Sequence, residues 1–377
     1  MDSEQLIVKL NHCLQERNRI FPQRDKENDI EVNRELTRFV DEVNSRQNTI
    51  FAPDPTLTCK AQSVLDASVF LCGSMKSGTT LLLELLDNHP ELLALPGDSY
   101  FTGRISKENP PSTPLLHAAW DDWVKRMVNP TGQEPFWLFG TDISPYVVFR
   151  QYLQDWYDSL SDSWYSSFIS VLLSYYCANP VRPTNAKMWV EKTPGNELKI
   201  ADILQIFPTA RFVHIIRDPR ENMASLKRLY ATRKWQWQPM GTADALAKSC
   251  RAAVDNQARL GRERYHVLSY EALTEEPAER MAELADFLDI QWDESLLRPT
   301  VNGMPAHANS MYKDLQVTGV VRKSSKNKWK TVLTEAEQRM ACGTLREAKM
   351  VGYDWDVSRK DSLLLLLDRA RAKFKRT

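Results

Sequence analysis

The sequence shows no excess of either charge: 49 Lys and Arg balance 49 Asp and Glu over 377 residues. A net charge of zero excludes the broad electrostatic footprint with which a protein gathers on nucleic acid or an anionic membrane, so any anion site must be local. Paired cysteines are also missing. Cys13, Cys59, Cys72, Cys177, Cys250 and Cys342 are scattered, with no Cys-x-x-Cys and no accompanying His spacing. That excludes a zinc motif, predicts no metal, and reads as reduced packing thiols of a reducing compartment. Long apolar runs are absent too. The amino terminus, MDSEQLIVKLNHCLQERNR, is mixed-charge and amphipathic, and Leu81 to Leu95 is interrupted by Glu84, Asp87, His89, Pro90 and Glu91. Neither can serve as signal peptide or membrane span, and the expectation is a soluble cytoplasmic protein with no nucleic-acid partner.

What is present is enough apolar residue, 42% of the chain, for a full core. Residues 1–66 alternate helical pattern with polar linker and end in a turn-rich stretch, which predicts a helical N-terminal extension. From Ser68 the pattern changes to a short apolar run, SVFLCG, then a glycine-bearing loop, then TTLLLELLDNH. That is strand, loop, helix. The unit recurs where KMWV (187–190) precedes EKTPGNELKIADILQIF and where RFVHII (211–216) precedes RDPRENMASLKRLY, and Tyr265 to Leu268 is a fourth candidate strand. Near-continuous apolar strands, each followed by an amphipathic helix, predict an α/β fold of P-loop type: three layers, with a central, mainly parallel sheet between helices. The main domain is expected over 67–357, with 358–377 as a basic C-terminal helix or tail. Between the units, 145–178 is rich in aromatics at helical spacing, such as Tyr146, Phe149, Tyr152, Tyr175 and Tyr176. They line either the core or an acceptor pocket.

The sharpest feature is GSMKSGTT, Gly73 to Thr80. Backbone N–H groups in a loop between strand and helix, together with the helix amino terminus, suit an anion. A nucleoside-triphosphate loop needs Lys after its second glycine and then a hydroxyl for magnesium. Here that position is Thr79, and the cation, Lys76, sits inside the loop. This placement suits a phosphosulfate that needs no magnesium, and argues against the alternative of a P-loop small-molecule kinase. A second anion-binding element follows the RFVHII run. Arg217 ends the strand, Pro219 begins a helix, and Ser225 comes eight positions after Arg217, so a guanidinium and a hydroxyl can converge on one phosphate. The other reading of Arg217 is a strand-end ion pair with Asp218.

Lys76-Ser77-Gly78-Thr79-Thr80 resembles the 5′-phosphosulfate loop of sulfotransferases that use 3′-phosphoadenosine-5′-phosphosulfate (PAPS), and Arg217 with Ser225 resembles their 3′-phosphate motif. Tyr270-Glu271-Ala272-Leu273 is similar to the Tyr-Glu-x-Leu that follows a late strand in that family. The segment 324–329, SSKNKW, resembles the one that closes over the nucleotide, and GYDWD (352–356) also fits. The likeness is nearer to tyrosylprotein and bacterial enzymes than to cytosolic phenol and steroid enzymes. It implies a sulfotransferase with PAPS as donor, PAP as product, no metal requirement, and a small-molecule or peptide hydroxyl as acceptor.

The resemblance also implies roles. Lys76, Ser77, Gly78, Thr79, Thr80, Arg217, Ser225 and Tyr270 hold the donor, with Arg322, Ser324, Ser325 and Lys328 offered as a group. Lys76 and Lys192 supply positive charge to the reacting centre, Lys192 having a salt bridge to Glu191 as its other reading. The general base is a carboxylate, with Asp98 of Pro96-Gly97-Asp98-Ser99 the candidate and Glu191 a remote alternative. His89 is expected to cap a helix end and His214 to be core. A catalytically silent nucleotide-binding module is the remaining alternative, distinguished by Asp98.

Overall fold

Strand β1 forms over Ser68–Cys72, a run of five residues buried along its whole length, as a central strand covered on both faces requires. In the computed structural model, which describes residues 3–19, 26–46, 52–100, 125, 128, 137–159, 164–306, 319–323 and 327–344, four more strands join it. They are β2 (Leu92–Ala94), β3 (Met188–Lys192), β4 (Arg211–Ile216) and β5 (Tyr265–Ser269). Their order is β2-β3-β1-β4-β5, and every pairing is parallel. Leu71 of β1 lies opposite Lys192 of β3 and Val213 of β4. The carboxyl ends of the three central strands therefore finish close together.

Helices cover both faces. Leu82, Leu85 and Leu86 of the Thr79–Leu86 helix and Met281, Leu284 and Leu288 of the Pro277–Leu288 helix pack with Val69, Leu71, Val190 and Val213 on one side. On the other, an aromatic row of Trp189, Phe70, Phe212 and Tyr265 crosses β3, β1, β4 and β5, with successive ring centroids 5.5–6.0 Å apart. Tyr146, Phe149 and Tyr175 of the Ser144–Ser159 and Trp164–Ala178 helices are buried in that same cluster. Leu6, Leu10, Leu36 and Phe39 from the helices Ser3–Arg19 and Lys26–Ser45 complete it. The three-layer α/β expectation is met, and the amino-terminal helices share the main core.

Two local readings are corrected. Strand β3 runs on through Glu191 and Lys192, beyond the apolar KMWV run, because both charged side chains find partners at the strand end. The helix read over TTLLLELLDNH stops at Leu86, and strand β2 follows it where no strand was expected. Asp87 ends that helix with extended backbone, and Asn88 follows with φ of 61°. All six cysteines are free, five of them buried.

This topology makes a crevice. The chain leaves β1 toward the β2–β3 side and leaves β4 toward β5, so the loops after β1 and β4 diverge. Such a switch point, outside the carboxyl ends of neighbouring strands, is where α/β sheets bind ligands.

Candidate active site

The loop after β1 turns sharply enough to demand its glycines. Gly73 has φ of 143°, and a Cβ there would lie 2.6 Å from the Ile215 carbonyl oxygen and 2.7 Å from Ser77 Oγ. Gly78, with φ of 113°, caps the Thr79–Leu86 helix and is pressed against the Tyr270 ring. Lys76 itself adopts φ of 69°, an uncommon conformation for a residue with a side chain. The loop is anchored from outside: Gly73 N–H donates to the buried Glu197 carboxylate (2.9 Å), Gly73 C=O accepts from Gly195 N–H (3.2 Å), and Asn222 Nδ2 donates to Ser74 Oγ (2.9 Å).

Arg217 enters from the end of β4. Its Nη1 donates to the Lys76 carbonyl oxygen at 3.2 Å, and its guanidinium lies over the Tyr270 ring, 4.6 Å from the centroid. The two basic elements thus meet in one crevice. Asp218 pairs with Arg220, not Arg217, and caps the Pro219–Thr232 helix by accepting from Arg220 N–H. Ser225 is half-buried one turn beyond Glu221 on the same helix face. Arg220 also stacks on Trp329, 4.9 Å from its centroid, which brings the end of the 327–329 segment to this helix. Arg322 and Lys328 are half-buried. Ser324 and Ser325, GYDWD and 358–377 lie outside the described residues.

On the other flank, Lys192 at the end of β3 is only 4% exposed at its side chain. Its Nζ pairs with Asp98 Oδ1 and donates to Thr80 Oγ1 at 3.3 Å. Lys192 is therefore not the partner of Glu191, because consecutive strand residues point to opposite faces. Glu191 instead accepts from Ser99 Oγ, Thr193 Oγ1 and Asn196 Nδ2. Tyr100 OH donates to Asp98 Oδ2 at 3.2 Å. His89 is committed elsewhere, Nδ1 accepting from Glu91 N–H and Nε2 meeting the Gln291 carbonyl oxygen. His214 is a core residue held by Tyr265 and Ser249.

The electrostatics are those of an anion site. Burial, and then the neighbouring Arg217 and Lys192, push the Lys76 ammonium pKa down. Three cations thus share the crevice. Ser77 Oγ and Arg217 Nε are buried without a hydrogen-bond partner among the described residues. Buried polar atoms left unpaired are rare enough to need a reason, and a ligand is one. Among the described residues, no three His, Cys, Asp or Glu side chains are placed to hold a metal ion, and no helix is long and apolar enough to cross a membrane.

Residues 68–294, more than half of the chain, match the model of the sulfotransferase family. The chain belongs to the sulfotransferase family. It is an enzyme of sulfuryl transfer. A curated relative, omega-hydroxy-beta-dihydromenaquinone-9 sulfotransferase Stf3 of Mycobacterium bovis, is 24% identical over 283 residues, covering 68% of this chain and 71% of its own. Among solved structures, the sulfotransferase domain of the Synechococcus PCC 7002 olefin synthase is 18% identical with a TM-score of 0.47, covering 77% of this chain and 96% of its own. Sulfotransferase STF9 from Mycobacterium avium is 17% identical with a TM-score of 0.37, covering 69% and 78%.

In this sulfotransferase, several residues that shape the crevice were not singled out by sequence reasoning. Glu197 and Asn196 lie in TPGNEL, which reads as an ordinary helix start. Asn196 Nδ2 bridges Glu191 and the Leu71 carbonyl oxygen, while Glu197 holds the loop. Asn222 and Glu221 sit on the helix after Arg217, where the clue was their burial-incompatible polarity on a face that must pack against the sheet. Glu84 is the least expected. It is buried one turn after Thr80, makes no hydrogen bond among the described residues, and burial raises its pKa to about 8 despite Lys192 nearby.

Proposed function

We propose that this sulfotransferase uses PAPS as donor and a hydroxyl compound as acceptor, by in-line displacement with Asp98 as general base. The observation that carries the reading is the meeting of Lys76 and Arg217, from two separate strand ends, at 3.2 Å. The buried orphan atoms Ser77 Oγ and Arg217 Nε fit a polyanion in that crevice. When bound, PAPS supplies an electrophilic sulfuryl group on a phosphate leaving group, and PAP is the product.

The chain's own residues divide the work. The loop residues Lys76, Ser77, Gly78, Thr79 and Thr80 receive the 5′ end of the donor at the helix amino terminus. Arg217, backed by Tyr270, and Ser225 receive the 3′-phosphate, with Arg322, Ser324, Ser325 and Lys328 closing from the carboxyl side. Lys76 and Lys192 hold positive charge where it develops on the leaving oxygen. Asp98 takes the acceptor proton as the acceptor oxygen bonds to sulfur and the sulfur–oxygen bond to phosphate breaks. Asp98 starts paired to Lys192, so an arriving anion competes for Lys192 and releases one carboxylate oxygen. The acceptor is a small molecule or a peptide, the site is in the cytoplasm, and no metal takes part. The transferase unit spans 67–357, flanked by the helical extension 1–66 and the tail 358–377.

Asp98→Asn tests the reading. Transfer of label from radiolabelled PAPS to a panel of phenols, alcohols, sugars and hydroxyl peptides should fall about 10²- to 10⁴-fold, while PAP binding by calorimetry is not weakened, since the variant leaves Lys192 free of its carboxylate partner. Near-normal turnover would remove Asp98 from the mechanism.

A further inference from the structure

The end of β3 presents two consecutive charged residues on opposite faces, and the segment after β2 answers both with two consecutive residues of its own. Lys192 pairs with Asp98 on one side, while Glu191 accepts from Ser99 Oγ at 2.5 Å on the other. The Asp98–Ser99 dipeptide therefore straddles the strand end, held from both faces. A third contact follows, from Tyr100 N–H to Thr193 Oγ1 at 3.0 Å. Gly97 and Tyr100, which bracket the dipeptide, both have positive φ, 77° and 54°. A residue with a side chain keeps that conformation only where its surroundings impose it.

We propose that Ser99 and Glu191 form a clamp whose task is to position Asp98 for proton transfer, which makes both of them positioning residues. The proposal rests on Asp98 being the base. Glu191 is fully buried and pairs with no cation among the described residues; three neutral donors, from Ser99, Thr193 and Asn196, satisfy it. Asn196 is in turn bonded to the Leu71 carbonyl oxygen on β1, the strand that leads into the phosphate loop. One chain of hydrogen bonds thus references the Asp98 turn to the sheet that also places Lys76. A carboxylate on a turn without such a reference drifts, and a displacement of about 1 Å at a reacting group costs roughly 10²-fold in rate. Burial raises the Glu191 pKa, consistent with a carboxyl kept out of solvent for its geometry.

The test uses the full chain and four variants: Ser99→Ala, Ser99→Thr, Glu191→Gln and the double Ser99→Ala/Glu191→Gln. With a phenol or alcohol acceptor from the panel, Ser99→Ala and Glu191→Gln should each lower kcat about 10- to 100-fold. The PAPS KM and PAP Kd should hold within about twofold, with Ser99→Thr near wild type and the double variant no worse than the weaker single. Independently of turnover, hydrogen exchange in Ser99→Ala should speed up at 97–100 and leave β1, β3 and β4 unchanged. Wild-type kcat or unchanged exchange at 97–100 in Ser99→Ala overturns the clamp. So does an equal loss of PAP affinity, which would mean a general structural role. If Asp98→Asn keeps its turnover, the base assignment fails, whatever the clamp variants do. If Asp98→Asn is inactive while Ser99→Ala and Glu191→Gln behave as wild type, only the clamp fails.

Discussion

The Pro219–Thr232 helix has two ends that treat charge in opposite ways. At its amino end, Arg217, Lys76 and Lys192 crowd together, and Glu221 Oε1, Asn222 Oδ1 and Arg217 Nε are buried without a hydrogen-bond partner among the described residues. At its carboxyl half, Lys227 Nζ meets Glu337 Oε2 at 2.6 Å, and the same carboxylate accepts from Trp237 Nε1 at 2.6 Å and Thr334 N–H at 2.7 Å. Lys227 and Glu337 are thus answered within the chain. Two buried carboxyls display the contrast: Glu337 lies at about 2, its donors outweighing burial, whereas burial lifts Glu84 beside the crevice to about 8. One end is built to be complete in itself, and the other to be completed by something else.

The widest separation of the two ends should come from Lys76→Met. It removes crowding from the crevice, so the folded chain should be no less stable in denaturant, yet turnover should fall about 10²- to 10³-fold, or about 2.7–4 kcal/mol of transition-state stabilisation. A variant that lost stability and kept its rate would reverse the contrast. Next in size is Glu84→Gln. The folded pKa of about 8 lies above the ordinary 4.5, so the native state binds the extra proton between those values and wild-type stability falls as pH rises through that window. Gln carries no such penalty. Urea unfolding should therefore show the variant gaining on wild type from pH 4.5 upward, reaching ~2–4 kcal/mol at pH 8, with little difference at pH 4. A gap that is the same at both pH values would mean that Glu84 is not held neutral.

These two residues also mark what could be read from the chain alone. Lys76 was legible because its meaning is local: the loop, its glycines and the following helix lie within a few positions, and the missing lysine at Thr79 separates the donor class. The parallel sheet was legible for the same reason, each strand being followed at once by its helix. Glu84 looked like one polar residue on an apolar helix, and only the fold reveals that the face it occupies turns toward Lys192. Glu197 was hidden by distance, since the Gly73 N–H it accepts is 124 residues away. Strand β2 was hidden by brevity, three residues after a proline inside a longer apolar run. The Lys192–Glu191 pairing, the other reading of Lys192, failed because it treats neighbours in sequence as neighbours in space, which alternation along a strand forbids.

The smallest effect belongs to the finished end, and there the sign of the pH dependence is opposite. Glu337 is held at about 2 in the folded state against 4.5 when free, so its contribution is fully present above the free value and is lost as pH falls from 4.5 toward 2. Replacing it with Gln leaves the half-buried Lys227 beside a neutral amide and removes one of the two acceptor oxygens shared by Trp237, Thr334 and Lys227, a loss of ~1–3 kcal/mol at pH 7. That deficit, followed by urea unfolding, should shrink as the pH drops below 4.5. Because Glu337 lies in the Glu335–Gly343 helix, away from the phosphate loop, PAP affinity should be unmoved. If Glu337→Gln weakened PAP binding as much as it weakened the fold, the two ends of the helix would not be separate. The donor crevice would then depend on the junction with the carboxyl-terminal helices.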